Sequence, residues 1–385
     1  MVINKMTVYL DNAATTKPCE PAVSAVFKCM VEDYGNPSSL HGIGLDAEKN
    51  ITEARKSIGA ALVCDPANII FTSGATEANN MAIFGAIKNY GKRKRKIVIT
   101  QIEHPSVLIP VKYLEEKEGY TVVRIKPNRN GEIDTDEFLN AIDEQTCFAS
   151  CMLVNNETGT IQNVRRIFSQ IKRNFPECIT HCDAVQGFMK IHFKATDLFA
   201  DIIVISGHKV HAVKGVGAMY IRKGIRIQPL LMGGGQEKNL RSGTESVPLI
   251  CGFGAAVRVQ MATLNSAFSK AEEIAKYTRE KLETLDFISI NSPIDNVSPY
   301  ILNFSVSRVR SEIMLHSLES KGIYVSSGSA CSKGVHSSVL TSMGLSENQA
   351  DSAIRVSISR TTSKEEIDIL INAITECYPS LAKTK

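Results

Sequence analysis

The chain has 385 residues, of which 43% are hydrophobic and 22% are charged, and its formal net charge is +4. This length predicts roughly two or three domains with enough buried core to fold without disulfides or metals. The charge content argues against wholesale disorder, and the small net charge gives no case for a dedicated nucleic-acid binder. We find no apolar run near the roughly 18 residues that a membrane helix needs, and no hydrophobic signal segment. We therefore expect a cytoplasmic protein with no membrane partner.

Short apolar runs alternate with longer amphipathic ones through the first 250 residues. Helical patterns at Glu77–Tyr90 and Ser106–Glu118 lie between apolar runs that are typical of strands. The candidate strands are Ile69–Thr72, Lys96–Thr100, Thr121–Ile125, Phe148–Val154, Ile179–Asp183, Ile202–Ser206 and Ala218–Ile221. This alternation predicts an α/β domain with a mostly parallel sheet. After a long helical stretch from about Gly252 to Leu285, shorter elements and turn signals predict a second, smaller α+β domain.

The ten cysteines are expected to be mostly reduced thiols. Cys147 and Cys151, like Cys178 and Cys182, have a CxxxC spacing within apolar runs, which favours buried core thiols over a zinc site. Cys331 differs because it lies in a run of small residues next to Lys333, where an exposed thiol would be more thiolate-like. It could equally be an incidental loop cysteine.

Polar clusters follow three of the candidate strands. Ser73–Glu77 forms a small-residue turn at a helix start, which can hold a phosphate or simply cap the helix, with Ser73 and Thr76 as cap candidates. Asp183–Gln186 places a carboxylate at the strand edge where open α/β sheets bind ligands, although it could also be a helix cap. Ser206–Lys209 ends in a lysine that could form a Schiff base with an aldehyde or lie in a surface loop. The glycine-rich segment Gly233–Thr244 permits close approach of a ligand or acts as a hinge.

Taken together and in order, these segments resemble the class V aminotransferase family of pyridoxal phosphate enzymes with fold type I. Within it they resemble the cysteine desulfurases of the iron–sulfur-cluster and nitrogenase type. The matching segments are Tyr9–Thr15, Tyr34–His41, Thr72–Glu77, Glu103–Pro105, Val154–Gly159, Asp183–Gln186, Ser206–Lys209, Gly233–Thr244 and Ser326–Cys331. The resemblance implies a large domain over residues 16–255 with a mostly parallel seven-stranded sheet. It also implies a small α+β domain from residues 1–15 and 256–385, which carries the cysteine loop.

The resemblance also implies how pyridoxal 5′-phosphate would be held. Lys209 would carry the cofactor covalently and move the substrate α-proton, Asp183 would pair with the pyridine nitrogen, and His104 would stack on the ring. Thr244 would reach the phosphate of the other subunit, so the active unit would be a homodimer. The remaining cofactor contacts would come from Gln186, Ala75, Thr76, Ser206 and His208.

For the substrate, the resemblance implies that Asn155 and Arg355 bind the carboxylate of L-cysteine. Cys331 would be the nucleophile, taking up sulfur as a persulfide while L-alanine leaves. The sulfur would then pass to an acceptor protein for iron–sulfur cluster assembly or tRNA thiolation. No metal site is expected.

Three other functions stay open at the level of sequence. A selenocysteine lyase or another β-eliminating lyase would share the cofactor site. A protein of this fold could also bind the cofactor without turnover, although the complete set of catalytic positions argues against it. A cysteine-rich metal or redox protein is disfavoured by the thiol spacing.

Overall fold

The computed structural model describes residues 7–327 and 337–381. Its strands are β1 (Val8–Tyr9), β2 (Ile69–Thr72), β3 (Lys96–Thr100), β4 (Thr121–Ile125), β5 (Thr146–Ser150), β6 (Ile179–Asp183), β7 (Ile202–Ser206), β8 (Gly217–Ile221), β9 (Ile288–Ile290), β10 (Ile301–Val306), β11 (Ile323–Tyr324) and β12 (Ala353–Ser357). Its helices are α1 (Glu20–Val31), α2 (Gly42–Leu62), α3 (Ala75–Tyr90), α4 (Pro105–Glu118), α5 (Thr135–Asn140), α6 (Val164–Asn174), α7 (Val247–Glu283), α8 (Ser311–Ser320), α9 (Ser338–Ser342), α10 (Glu347–Asp351) and α11 (Lys364–Cys377).

A seven-stranded sheet forms the centre of the larger part of the molecule. Its strand order is β2-β8-β7-β6-β5-β3-β4. Strand β8 runs antiparallel to both of its neighbours, and the other pairings are parallel. The predicted fold class, with its mostly parallel sheet of seven strands, is therefore confirmed.

Helices cover both faces of this sheet, which explains why its central strands read as continuous apolar runs. In β7, Ile202 and Val204 pack into the apolar cluster formed with α3 and α4. Ile203 and Ile205 belong to the opposite cluster, which contains residues of α2, α6 and α7. Because successive strand side chains point to opposite faces, both kinds of position must be apolar here.

A second apolar core lies in the C-terminal part of the chain. It gathers side chains from β10, β12, α8 and α11 together with Val8 and Leu10 from the chain start. Strand β1 pairs in parallel with β11, so residues at the two ends of the chain share this core. Helix α7 contributes to both cores, because its first half packs with the large sheet while Ala271, Ile274 and Leu282 pack with the C-terminal cluster. The division at residue 255 stays a prediction, and it falls inside this shared helix.

Helix α7 corrects one expectation from sequence. Over the described residues it is the one helix long and apolar enough to cross a membrane by length and composition. Of its most apolar window, 56% is buried inside the protein. It packs against α1 and α2, and Gly254 touches Ala54 so closely that a Cβ there would lie 2.7 Å from the Ala54 backbone. The apolar surface of α7 is thus accounted for by helix packing.

The four cysteines in the CxxxC pairs are buried, as predicted. Cys147, Cys151, Cys178 and Cys182 are each 0% exposed, and burial raises the pKa of Cys147 and of Cys178 to about 12. Thiols of this kind stay protonated at neutral pH and pack as small apolar groups.

Candidate active site

A cavity of about 680 Å³ opens where the carboxyl ends of β3, β6 and β7 meet residues of the C-terminal part. The cavity is lined by nine of the site residues that the sequence predicts. They are Ala75, Thr76, His104, Asp183, Gln186, Ser206, His208, Lys209 and Arg355. They come from distant parts of the chain and meet because parallel strands end at one edge of the sheet. The structure thus brings most of the predicted site together in one cavity.

Lys209 lies in the short 3₁₀ turn that follows β7. Its Nζ donates hydrogen bonds to the carbonyl oxygens of Ala13, at 2.6 Å, and Ala14, at 2.7 Å. Those two carbonyl groups also line the cavity, so the segment after β1 holds the lysine amine at the cavity wall. An amine in this position can react with an aldehyde.

Asp183 is the last residue of β6 and is only 5% exposed. Its Oδ1 accepts a hydrogen bond from the Val185 backbone N–H at 3.0 Å. Its Oδ2 accepts one from Asn79 Nδ2 at 2.9 Å. A buried carboxylate with two donors keeps acceptor capacity for a cationic group in the cavity.

His104 caps the N-terminus of α4 with its ring. Its Nδ1 accepts from the Ser106 backbone N–H at 3.1 Å and lies 2.8 Å from Ser106 Oγ. Burial lowers the pKa of His104, and Lys209 lowers it further against the opposing effect of Asp183. The ring is therefore neutral, and because Nδ1 is an acceptor, the proton lies on Nε2.

The N-terminus of α3 faces the cavity without a side-chain cap, contrary to the expectation for Ser73 and Thr76. Gly74 is the N-cap residue, and the Ser73 hydroxyl binds Glu77 instead. A Cβ at Gly217 would lie 2.8 Å from Gly74, so glycine at 217 lets this turn sit directly on β8. Uncapped N–H groups and the positive end of the helix dipole form an anion site of the kind that holds phosphates.

Ser206 and His208 line the cavity beside this helix end. His208 Nδ1 lies 3.2 Å from Thr15 Oγ1. Burial, with the nearby charges of Lys209, Lys214 and Lys190, lowers the pKa of His208 to about 4. A neutral His208 can donate one hydrogen bond without adding charge.

Gln186 is held by a buried lysine. Its Nε2 donates to the Ala13 carbonyl at 2.9 Å, and its Oε1 accepts from Lys190 Nζ at 2.8 Å. Because the Ala13 carbonyl can only accept, the NH₂ end of the amide must face Ala13 and its oxygen must face Lys190. Burial, together with Lys209 and Arg355, lowers the pKa of Lys190 to about 7.

Arg355 lies in β12 and is 3% exposed. Its Nη2 forms an ion pair with Asp11 Oδ1 at 2.8 Å, and its Nη1 donates to the Asn156 carbonyl at 2.9 Å. Its buried Nε has no hydrogen-bond partner among the described residues. An arginine with an unmatched donor at a cavity wall is suited to bind a carboxylate that enters the cavity.

Asn155 does not line the cavity. Its side chain is fully buried, with Oδ1 accepting from the backbone of Glu157 and Thr158 and Nδ2 donating to the Ile102 carbonyl. The neighbouring Asn156 lines the cavity instead. The predicted contact between Asn155 and substrate stays a prediction.

Thr244 also lies outside this cavity lining. Thr244 is exposed, on a segment that leads into α7. Cys331 lies outside the described residues. Their predicted roles are not decided by the geometry of one chain.

Several side chains that the structure places at the cavity or directly behind it were not assigned from the sequence, among them two glutamates and a lysine. Glu103 and Glu157 line the cavity, and Lys190 lies behind Gln186. A single charged residue among apolar ones, as in Gly187-Phe188-Met189-Lys190, was the available signal. Such a signal shows burial only once the tertiary packing is known.

The donor set fits pyridoxal phosphate. The cavity combines an amine for the aldehyde (Lys209), a buried carboxylate for the ring nitrogen (Asp183) and an uncapped helix N-terminus for the phosphate. These three groups would be an unusual combination for a site that only binds a metal or a nucleotide.

The comparisons with known proteins agree with this site. Residues 8–370 match the model of the aminotransferase class-V family. The chain belongs to the aminotransferase class-V family. It is 38% identical over 377 residues to a cysteine desulfurase of Nostoc sp., covering 97% of this chain and 93% of the relative.

Solved structures give the same result. The chain is similar to a NifS-like protein, with a TM-score of 0.93 and 36% identity, covering 98% of this chain and all of that one. It is also similar to SspA in complex with cysteine, with a TM-score of 0.80 and 32% identity over 93% of this chain and all of the other. The family resemblance stated from the sequence motifs is confirmed, and members of this family are pyridoxal phosphate enzymes.

Proposed function

We propose that this chain is a pyridoxal phosphate-dependent cysteine desulfurase. It would take sulfur from L-cysteine, release L-alanine and carry the sulfur as a persulfide on Cys331. The observation that carries this proposal is the convergence of Lys209, Asp183, His104 and the α3 N-terminus on one cavity that Arg355 also lines. Similarity to cysteine desulfurases over nearly the whole chain supports it.

Each cofactor-binding residue has a physical task. Pyridoxal phosphate, when bound, supplies an electron sink for breaking bonds at the substrate carbons. Asp183 would stabilise the protonated ring nitrogen, and Lys209 would hold the aldehyde and then move a proton at the substrate α-carbon. His104, with its proton on Nε2, can hold or donate a proton inside the cavity. Gln186 would donate to the phenolic oxygen, while Ala75, Thr76, Ser206 and His208 would bind the phosphate.

Arg355 would bind the substrate carboxylate. Its unpartnered Nε and the adjacent Nη2 can together donate to the two oxygens of a carboxylate while Nη1 stays on the Asn156 carbonyl. The ion pair with Asp11 keeps the guanidinium fixed in the absence of substrate. Asn155 would support this site from behind the cavity wall.

Cys331 would be the nucleophile. The described residues on either side of its segment both reach the cavity region: Ser326 pairs with Arg355, and Ser337 donates to Glu157 at 2.5 Å. In the transfer, the Cys331 thiolate attacks the substrate sulfur and an S–S bond forms. The substrate C–S bond breaks, and the carbon takes up a proton. The sum is one cysteine plus one thiol giving alanine plus one persulfide, with no outside oxidant or reductant.

The partners would be L-cysteine, an acceptor protein that takes the sulfur for iron–sulfur clusters or tRNA thiolation, and a second copy of the chain. Support for a homodimer comes from apolar side chains exposed along one side of α1, such as Phe27 and Met30. A second exposed apolar segment contains Leu231, which forms a β-bridge with Arg241. Arg241 lies three residues before the exposed Thr244. Burial of these surfaces would bring Thr244 to the neighbouring subunit. We place the enzyme in the cytoplasm.

The test is to add L-cysteine to purified protein without reductant and to measure alanine release, the cofactor absorbance band and the mass of the Cys331 peptide. We expect a band that shifts on adding cysteine, and one added sulfur on Cys331. Cys331→Ala should keep the band but lose sulfur transfer, whereas Lys209→Ala should lose the covalently held cofactor. Cys19→Ala, a partly buried thiol away from the cavity, is the matched control.

Two results would contradict the proposal. Sulfur transfer that survives in Cys331→Ala would remove the persulfide role. Turnover of selenocysteine with no persulfide from cysteine would favour the lyase alternative.

A further inference from the structure

A row of buried polar side chains runs beneath the cavity and connects Glu103 with Asp183, which both line it. Glu103 Oε1 lies 3.2 Å from Ser150 Oγ, and Ser150 Oγ lies 2.9 Å from His181 Nδ1. His181 Nε2 lies 3.0 Å from Asn79 Oδ1, and Asn79 Nδ2 donates to Asp183 Oδ2 at 2.9 Å. All five side chains are at most 5% exposed. Water therefore does not compete for these hydrogen bonds.

The direction of each hydrogen bond can be assigned from the Asp183 end. A carboxylate only accepts, so Asn79 must present its NH₂ group to Asp183 and its oxygen to His181. The other NH₂ hydrogen goes to Ser106 Oγ, at 2.8 Å. His181 Nε2 must then carry a hydrogen, because the Asn79 oxygen can only accept.

The neutral form of His181 determines the rest of the row. His181 is fully buried, and burial lowers its pKa to about 4. With the hydrogen on Nε2, Nδ1 has only a lone pair, so the Ser150 hydroxyl must donate to it. Ser150 has no second hydrogen, so the hydrogen of its 3.2 Å contact with Glu103 Oε1 must come from Glu103.

We propose that Glu103 is a neutral carboxylic acid that donates to Ser150 and, through Ser150, His181 and Asn79, sets the proton positions around Asp183 and His104. It acts as a positioning residue, because it reaches the reacting groups only through others. The branch to His104 runs from Asn79 through Ser106, whose hydroxyl lies 2.8 Å from His104 Nδ1. The functional part of this inference rests on the proposed cofactor site.

The surroundings of Glu103 favour the neutral acid. Burial and then the charge of Asp183 raise its pKa to about 8, against the opposing effects of Thr100, Ser150 and the Met152 N–H. The other titratable groups that face it are the thiols of Cys151 and Cys182, whose pKa values burial raises strongly, and His181. None of these supplies a positive charge at neutral pH.

The alternative with the same number of protons is an ion pair. If the acid proton moved through Ser150 to His181, Glu103 would be a carboxylate and His181 an imidazolium. Every hydrogen bond could still form, so the geometry permits both. Two opposite charges separated by a hydroxyl in a dry interior cost more than two neutral groups. The two forms differ in the charge of His181, which can be measured.

The test is the protonation state of His181 in the full-length chain as purified, from nitrogen-15 NMR of histidine-labelled protein between about pH 6 and about pH 10. We expect a neutral ring with the hydrogen on Nε2 near neutral pH. Above a midpoint near 8, ionised Glu103 attracts the Ser150 hydrogen, and the His181 signals should change. In Glu103→Gln, which does not titrate, the neutral form should persist without a transition.

Thr100→Val is the matched control, since it removes one hydrogen bond to Glu103 Oε1 and leaves the row intact. It should keep the transition. A cationic His181, a hydrogen on Nδ1 near neutral pH, or a transition that persists in Glu103→Gln would overturn the proposal. If Glu103→Gln does not fold, the wild-type tautomer and its pH dependence decide the matter alone.

A second measurement addresses the functional part. Glu103→Leu removes every hydrogen bond of this side chain and should weaken pyridoxal phosphate binding by about two- to tenfold, whereas Glu103→Gln, which keeps a polar group beside Ser150, should weaken it less. Equal binding in both variants would show that the row does not act on Asp183. Absence of pyridoxal phosphate binding in the wild type would instead contradict the proposed function and leave the NMR result standing.

Discussion

Replacing Glu157 by glutamine should make the protein more stable relative to wild type as the pH rises. Glu157 is buried at the cavity, accepts a hydrogen bond from Ser337 Oγ at 2.5 Å, and has a pKa raised by burial to about 7, although Arg355 opposes the effect. In the unfolded chain the same carboxyl group has a pKa of 4.5. The folded state therefore holds the proton more tightly than the unfolded state.

The size of the effect follows from this difference. At about 1.36 kcal/mol per pH unit, values of about 7 and 4.5 correspond to about 3 kcal/mol. Because the folded pKa is raised, the stability that this group contributes is complete below 4.5 and is lost as the pH rises through 7. Glutamine cannot titrate and keeps a hydrogen-bonding oxygen for Ser337. The unfolding free energy of Glu157→Gln minus that of wild type should thus rise by about 3 kcal/mol between those pH values and then level off.

Urea unfolding of both proteins at a series of pH values measures this difference, and the other titrating groups cancel in the subtraction. Glu115→Gln is a control of opposite sign, because hydrogen bonds from Arg124 lower the pKa of Glu115. That variant should lose stability relative to wild type as the pH rises. A difference for Glu157→Gln that stays flat with pH would show that Glu157 is ionised in the fold, and the reasoning from burial would be wrong.

Three further substitutions test the site. Arg355→Lys should raise KM for L-cysteine by about 10- to 100-fold with a smaller effect on kcat, measured by alanine release, because the bidentate fork is lost. Asp183→Asn should lower kcat by about 10- to 100-fold and weaken cofactor binding, measured by absorbance titration, since the buried charge is lost. Lys190→Met should become more stable relative to wild type as the pH falls from 10.5 to about 7, in unfolding experiments, because burial has lowered the pKa of this lysine.

The central sheet could be predicted from sequence because both of its faces are buried. Six of the seven predicted strands match the observed ones to within one residue at each end, including β3 and β6. The seventh was expected at Phe148–Val154 and is observed at Thr146–Ser150. Its apolar run continues past the end of the strand because Cys151 to Val154 are buried beneath the cavity, where the Leu153 N–H binds the Asp183 carbonyl. Burial beneath the cavity therefore explains why the apolar run is longer than the strand.

The main binding groups could be predicted because each follows a strand in the sequence. The residues that hold these groups in place could not be predicted from the sequence. The cap of α3 was assigned to Ser73 or Thr76, but Ser73 binds Glu77, which in turn pairs with Arg241, 164 residues away in the chain. No local pattern records such a partner. The same holds for Lys190 behind Gln186.

The cavity contains four titratable side chains that burial moves toward their neutral forms. They are Glu103, Glu157, His104 and His208. Among the described residues that the sequence assigns to the site, the formal charges then belong to Asp183, Lys209 and Arg355. An ionised Glu157 would compete with a substrate carboxylate for Arg355, and an ionised Glu103 would place a second negative charge near Asp183. Burial of the two glutamates thus leaves Arg355 free to bind an anion and Asp183 free to bind a cation. An amino-acid substrate brings the anionic carboxylate, and a protonated pyridine ring brings the cation.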